Sequence, residues 1–248
     1  MYYLRRGAHG MEDANRVAVV TGGTRGIGEA IARRLAADGF SVVISGHSKR
    51  SVSDALERFA KDGLSIAGRV ADAAREEDQA ALVRFAAEEK GRLDVLVNNA
   101  GIGEFAPVDE LPADRFRAVL ETNLFGPFYA IRAAAPFMRR NGGGFIVNIA
   151  SLASVNAFAG GAAYNASKFG LLGLSDAAML DLRHAGIRIA TVLPGSVATE
   201  FGGSHGGRES SWMLSPDDVA LAVADLVRFP DRAIPSRIDL RPSKPPKK

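Results

Sequence analysis

Residues 17–28 read VAVVTGGTRGIG. The run Val17–Val20 is short, apolar and mostly β-branched, the character of a strand covered on both faces. It gives way to a turn carrying Gly22, Gly23, Gly26 and Gly28, after which the apolar spacing from Gly28 to Asp38 becomes helical. Glycines let main chain come close to a diphosphate, and a helix N-terminus adds unpaired N–H groups and partial positive charge. The spacing is Gly-x-x-x-Gly-x-Gly and not Gly-x-Gly-x-x-Gly, so the turn alone fits both a nucleotide cradle and an unliganded strand-to-helix turn.

Outward from this unit the same alternation repeats. Ser41–Ile44, Ser65–Val70, Val95–Val97, Phe145–Ile149 and Ile187–Val192 read as further strands. Ser51–Lys61, Glu76–Lys90, Pro112–Arg140 and Tyr164–His184 carry apolar residues at helical spacing. The long stretch is expected to bend near Gly126-Pro127, where proline removes a backbone donor. The order predicts right-handed crossovers and a single-domain α/β fold, a doubly wound parallel sheet of Rossmann type with helices on both faces. Residues 202–211, GGSHGGRESS, interrupt the pattern after the sixth strand. Residues 1–15 are expected to be an N-terminal extension, with Met11 as a second possible start, 16–241 the domain, and 242–248 a flexible Pro/Lys tail.

Composition sets bounds. The 248 residues suit one domain, and 47% apolar with 24% charged residues is ordinary for a globular core. With no cysteine, disulfides, thiolate metal sites and a cysteine nucleophile are excluded. His9, His47, His184 and His205 are scattered, which argues against a histidine metal site. A net charge of +3, with no aromatic platform or clustered basic face, gives no support to nucleic-acid binding. Neither a signal-peptide pattern nor a membrane-length apolar run is present, so the expected address is cytoplasmic.

The second strand leads into Ser45-Gly46-His47-Ser48-Lys49-Arg50, without the Asp or Glu that holds ribose hydroxyls in NAD sites. Arg25, His47, Lys49 and Arg50 instead offer positive or polar groups to a 2′-phosphate, which favours NADP; Lys49 and Arg50 also read as the solvated start of a helix. Tyr164 and Lys168 stand at i and i+4 and share a helix face. A phenol with a pKa of about 10 is a poor base at neutral pH, and a neighbouring ammonium favours its phenolate. The pair is therefore a sensible proton donor and acceptor, though Tyr-x-x-x-Lys is also common on helix surfaces. Ser151 follows one strand and Asn98-Asn99-Ala100-Gly101 another; Pro194-Gly195 ends a third. All reach the carboxyl edge of the sheet, where doubly wound folds bind ligands. Asn123 lies in the long helix, where a buried amide needs partners.

Together, Thr21-Gly22…Gly26-Ile27-Gly28, Asn98–Gly101, Asn123, Ser151, Tyr164 with Lys168, and Pro194-Gly195…Thr199 resemble the short-chain dehydrogenase/reductase family, over roughly Asn15 to Pro242. The resemblance implies an oxidoreductase that interconverts a carbonyl and an alcohol, with Tyr164 as acid/base, Lys168 holding the nicotinamide ribose and lowering the tyrosine pKa, and Ser151 polarising the carbonyl. It implies that Asn123 helps hold a water linked to Lys168. For the cofactor it implies contacts from Gly22, Arg25 and Ile27, from Asp72 beside Ala73 at the adenine, from Asn99 and Ala100 at the ribose, and from Pro194, Gly195, Val197 and Thr199 at the nicotinamide. His47 stands where many NADP-using members carry Arg, and the frequent Ser-Ser pair reads Ala150-Ser151 here. Residues 202–213 occupy the place of the substrate lid, with Phe158, Phe201, Trp212 and Met213 as possible pocket lining. The branch most resembled is that of the 3-oxoacyl-carrier-protein reductases, which would make Arg139-Arg140 either a carrier contact or a solvated helix end. Members pair long helices into dimers or tetramers, for which Ala133–Ala135 and Ala177-Ala178 would allow close approach. The competing reading is an NADP-binding regulatory or scaffold protein without turnover.

Overall fold

A computed structural model describes residues 16–201 and 211–246. The expected extension at 1–15, most of the glycine-rich segment after the sixth strand, and the last two lysines lie outside the described residues.

The order is β1 (Val17–Val20), α1 (Gly26–Ala37), β2 (Ser41–Gly46), α2 (Lys49–Lys61), β3 (Ile66–Val70), α3 (Glu76–Lys90), β4 (Val95–Asn98) and α4 (Ala113–Leu120). A π-helical segment, Glu121–Phe125, joins α4 to α5 (Gly126–Arg140). Then follow β5 (Gly144–Ile149), a 3₁₀ turn (Leu152–Ser154), α6 (Ala162–Leu182), β6 (Ile187–Pro194), α7 (Pro216–Arg228) and β7 (Arg237–Leu240). All strands are parallel, in the order β3-β2-β1-β4-β5-β6-β7. The chain reverses its direction of winding between β1 and β4, and this switch point opens a crevice at the carboxyl edge.

Strand side chains alternate between two apolar layers. Ala18, Val20, Val42, Ile44, Val95 and Val97 pack against Ile31 and Leu35 of α1, Phe59 of α2 and Val223 of α7. Val17, Val19, Val43, Leu96 and Ile146 face Leu82 of α3, Ala134 and Met138 of α5 and Leu182 of α6. With both faces covered, the central strands carry no polar alternation. The helices are tied locally as well. Ser48 and Ser51 form a reciprocal cap at α2, Ser215 and Asp218 the same at α7. Glu29 on α1 feels burial pushing its pKa up, but hydrogen bonds from Arg58 and Arg33 win and hold it below the usual range. Arg58 also donates to the Thr24 carbonyl at 2.7 Å, which fixes the glycine turn to α2.

Two elements, α7 and β7, were not anticipated by the sequence reading. The long helix is continuous but not simply bent at proline. The Gly126 N–H reaches back to the Glu121 carbonyl, an i→i+5 bond that places a π-bulge just ahead of Gly126-Pro127. Ala134, Ala135 and Ala178 are buried in the chain's own core and so are not open to a second subunit, whereas Ala133 is half-buried and Ala177 is exposed. The aromatic residues Phe125, Phe128 and Phe169 are exposed on the same helices instead. Among the described residues no helix is long and apolar enough to cross a membrane.

Candidate active site

The glycine turn between β1 and α1 is shaped by contacts that leave no room for side chains. Gly22 and Gly26 have φ of 63° and 55°, the left-handed region that favours glycine. A Cβ on Gly28 would lie 2.3 Å from the Gly22 carbonyl oxygen and 2.4 Å from Asn99 Nδ2. One on Gly22 would lie 2.9 Å from Ala100 Cα. Asn99 closes the turn from β4: its Nδ2 donates to the carbonyls of Thr21 at 3.0 Å and Gly22 at 3.1 Å. The Thr21 hydroxyl in turn accepts the N–H groups of Asn99 and Ala100. Ala100 thus touches the turn through main chain, and the Asn99 amide is engaged in building the cradle. Arg25 is the N-cap of α1 but caps nothing with its side chain, so the first N–H groups, from Ile27 onward, find no side-chain cap there.

Across the groove stand the residues that follow β6. Gly195 N–H donates to Leu240 at 2.8 Å, holding the Pro194-Gly195 end of the strand onto β7. Val197 bridges to Leu214, and the flanking bonds run from Ala198 N–H to Leu214 and from Leu214 N–H to Ser196. Thr199 lies opposite Gly26, with its methyl 3.4 Å from where a Cβ would be. The Arg25 guanidinium spans the groove to Glu200, Nη1 to Oε2 2.9 Å, with the two side chains 73% and 82% exposed. Arg25 therefore holds a carboxylate, which a phosphate would have to displace to reach the guanidinium. His47 is exposed just beyond β2, and Arg50 is drawn toward Asp54 at 3.7 Å.

Beyond β3, the Asp72 carboxylate accepts the Ala74 N–H, its own N–H donates to Asp78, and its carbonyl accepts from Gln79. Gly126 packs so close to the Ala73 carbonyl that a Cβ there would stand 2.6 Å from it. The π-bulge and the Asp72-Ala73 loop are thus in contact.

The chemistry-bearing groups meet at the other end of the crevice. Ser151 caps the 3₁₀ turn after β5, its Oγ accepting the Ala153 N–H at 3.1 Å. Tyr164 and Lys168 lie on the first turns of α6, with Nζ 5.7 Å from the centre of the phenol ring. Against the expectation that Lys168 lowers it, the Tyr164 pKa is raised by burial, and the group that opposes the rise is Ser151, through a hydrogen bond. Lys168 is buried, donates to the Ile149 carbonyl at 3.0 Å, and has its pKa pushed down to about 8 by that burial. Asn123 is fully buried in the π-bulge. Its amide accepts the Ile102 N–H and donates to the Ile102 carbonyl, both at 2.8 Å, and it also donates to Ser167. The cost of burying this amide is met by a two-way clamp on the chain that follows Asn98–Gly101.

One group escaped the sequence reading. Phe105, in the loop between β4 and α4, sets its ring 5.6 Å from that of Tyr164. Of the possible lining residues, Phe201 is 5.7 Å from Tyr164 and Phe158 is 5.9 Å from Phe105. Trp212 and Met213 lie part-buried beside the Leu214 bridge. No sequence pattern singles out Phe105, because a loop residue has no periodicity.

Residues 16–209 match the short chain dehydrogenase family. The chain is 38% identical over 186 residues to an uncharacterized oxidoreductase, YxjF, of Bacillus subtilis, covering 75% of this chain and 72% of that one. It is likewise 38% identical over 189 residues to dehydrogenase/reductase SDR family member 4 of Oryctolagus cuniculus, covering 76% and 73%. Among solved structures it superposes on a metagenomic short-chain oxidoreductase in complex with NADP, with a TM-score of 0.82, 35% identity, and coverage of 94% of this chain and 99% of the other. An alcohol dehydrogenase from Thermococcus sibiricus complexed with 5-hydroxy-NADP gives a TM-score of 0.85 at 30% identity, with the same coverage. On the family match, the identities and the superposition, the chain belongs to the short-chain dehydrogenase/reductase family of oxidoreductases.

Proposed function

We propose that the chain is an NADPH-dependent carbonyl reductase in which Tyr164 supplies the proton. The observation that carries this reading is the convergence of Ser151, Tyr164 and Lys168 beside a glycine-built cradle at one sheet edge. The cradle fits a dinucleotide: positive-φ glycines at 22 and 26 and a helix N-terminus without a side-chain cap are what a diphosphate needs. Gly22, Ile27, Asp72, Ala73, Asn99, Ala100, Pro194, Gly195, Val197 and Thr199 would hold it, with Arg25 and His47 toward the 2′-phosphate. The two superposed structures carry NADP or a close analogue, which supports NADP as the cofactor, and the lack of Asp or Glu just after β2 favours it over NAD. When bound, the nicotinamide supplies or takes up a hydride.

The rest is done by side chains. Ser151 orients the substrate carbonyl. Tyr164 is held as the neutral phenol by its burial, which suits it to donate a proton to the carbonyl oxygen. The Lys168 ammonium, one turn along, favours the phenolate left behind, and its lowered pKa lets it pass a proton on near neutral pH. With the Asn123 amide committed to Ile102 and Ser167, a water on the way to Lys168 would rest on Asn123 main chain. The folding unit is taken as residues 16–241, and the 3-oxoacyl thioesters of the most resembled branch are one substrate class to try. A groove of about 600 Å³ along α4 and α5, lined by Leu111, Phe116, Leu120, Phe125 and Tyr129, supports assembly into dimers or tetramers through these helices.

The test is oxidation of NADPH and NADH against a panel of carbonyls, with Tyr164→Phe in parallel. Turnover with NADPH that falls by about a thousandfold or more in Tyr164→Phe, while cofactor binding persists, is the expected result. Turnover unchanged by that substitution sinks the assignment of Tyr164, and absence of binding by either cofactor sinks the reading as a whole.

A further inference from the structure

Two phenylalanines from separate parts of the chain flank the ring of Tyr164, and a third stands behind one of them. Phe105 meets it edge-on at 62°, Phe201 at 53°, and Phe158 backs Phe105 at 43°. They are not core residues: Phe105, Phe158 and Phe201 are 45%, 47% and 40% exposed. Nor are they loosely hung. Ala106 bridges to Gly161 and donates its N–H to the Gly160 carbonyl at 2.9 Å, which joins the loop of Phe105 to the loop of Phe158. The buried Asn165 accepts the Phe158 N–H and donates to the carbonyls of Ala153 and Asn156, fixing the second loop from α6. Glycines clear the space that the rings occupy. A Cβ on Gly103 would stand 2.8 Å from the Phe105 ring and 3.1 Å from that of Phe201, and one on Gly161 would stand 2.6 Å from Phe158. The adjoining charge is internally matched, Glu104 pairing with Arg115 at 3.5 Å.

Ring pairs prefer edge-to-face or offset contact, and a flat π-system gains from such partners beyond its simple area burial. An aliphatic or charged chain gains none of that extra term, and a charged one loses hydration against apolar walls. We infer that Phe105, Phe158 and Phe201 form an aryl subsite beside Tyr164, and that the substrate class is ketones whose carbonyl is attached to, or one carbon from, an aromatic ring. This inference rests on the carbonyl-reductase reading and narrows it: a 3-oxoacyl thioester, long and flexible, would leave the rings unused.

Acetophenone and cyclohexyl methyl ketone share a carbon skeleton and differ in the flat ring, and conjugation makes the first the less reactive toward hydride. A lower KM for acetophenone therefore reports binding and not intrinsic reactivity. The expected KM is lower by about tenfold for acetophenone than for the cyclohexyl ketone and for a 3-oxobutanoyl thioester. Phe105→Leu and Phe158→Leu, both at exposed positions, are expected to raise the acetophenone KM by about five- to tenfold and so to erase its advantage over the cyclohexyl ketone, with the parent's turnover of 2,3-butanedione as the small-carbonyl control. Melting curves confirm that each variant is folded. Equal KM values for the matched ketones, or variants that leave their ratio unchanged, overturn the subsite while butanedione turnover leaves the reductase reading standing. Absence of turnover even with butanedione removes the reductase reading and this inference with it.

Discussion

The two ends of the crevice are built from different materials. At the cradle end the surface is main chain: Gly22 and Gly28 bring backbone against backbone, and Asn99 and Thr21 spend their side chains on fastening it. At the Tyr164 end the surface is side chain: three rings carried on loops, held from behind by Asn165 and the Ala106–Gly161 bridge. A backbone surface recognises what every dinucleotide shares and tolerates no added atom. A surface of rings is open to exchange one residue at a time. The contrast teaches that one fold can keep its cofactor chemistry constant while its carbonyl partner changes.

The strongest way to break this contrast is to add a methyl group at the cradle. In Gly28→Ala the new Cβ would stand 2.3 Å from a fixed carbonyl oxygen, and neither the turn nor α1 can yield without the other. Overpacking of this kind costs about 1–3 kcal/mol, and dinucleotide binding should fall below detection by calorimetry. Near-normal binding in Gly28→Ala would show that the cradle is softer than its contacts imply.

Lys168 lies where the two ends meet and offers a pH test. Burial lowers its pKa to about 8, whereas in the unfolded chain it stays protonated to about 10.4. Between those values the unfolded chain holds the extra proton, so stability rises with pH through that window and is flat below it. In cofactor-free protein, the urea midpoint of the parent should therefore climb relative to Lys168→Met from about pH 8 to pH 9.5. Parallel curves would mean that the amine is not desolvated.

The smallest effect concerns Arg25. Its partner Glu200 competes with any phosphate for the guanidinium, but a pair this exposed is worth only about 0–1 kcal/mol. Glu200→Gln should tighten NADPH binding by about two- to threefold in low salt, with the gain fading as salt rises. No change at any ionic strength would remove Arg25 from the phosphate contacts.

Much of this was legible from residues alone because the responsible signals are local. Val17–Val20 and the runs like it are apolar on both faces, and Glu76–Lys90 begins and ends where its composition changes. The cradle glycines, Ser151, Tyr164 and Lys168 follow strands or open helices, so the topology places them at one edge. The missed elements failed on the same principle. β7 reads Arg-Ile-Asp-Leu, an edge strand with exposed charges and no apolar run. The α7 start carries Ser215-Pro216-Asp217-Asp218, a legible capping box with proline at the first position, which went unread behind the glycine-rich segment. The π-bulge has no composition of its own. Pairings across long sequence separations, Arg25 with Glu200 and Phe105 with Tyr164, exist only once the sheet has brought distant loops together.

The bridge between Val197 and Leu214 has a consequence for ancestry and for engineering. It pins the departure and return of one chain excursion side by side, just after β6 and just before α7. Lengthening such an excursion adds little entropy cost once its ends are joined, about 0.6 kcal/mol per doubling. The stretch between the two pinned residues is thus a cassette. The sheet and its proton-transfer groups lie outside it, whereas Thr199, Glu200 and Phe201 lie at its start, so a library that keeps those three residues is the one expected to keep the site.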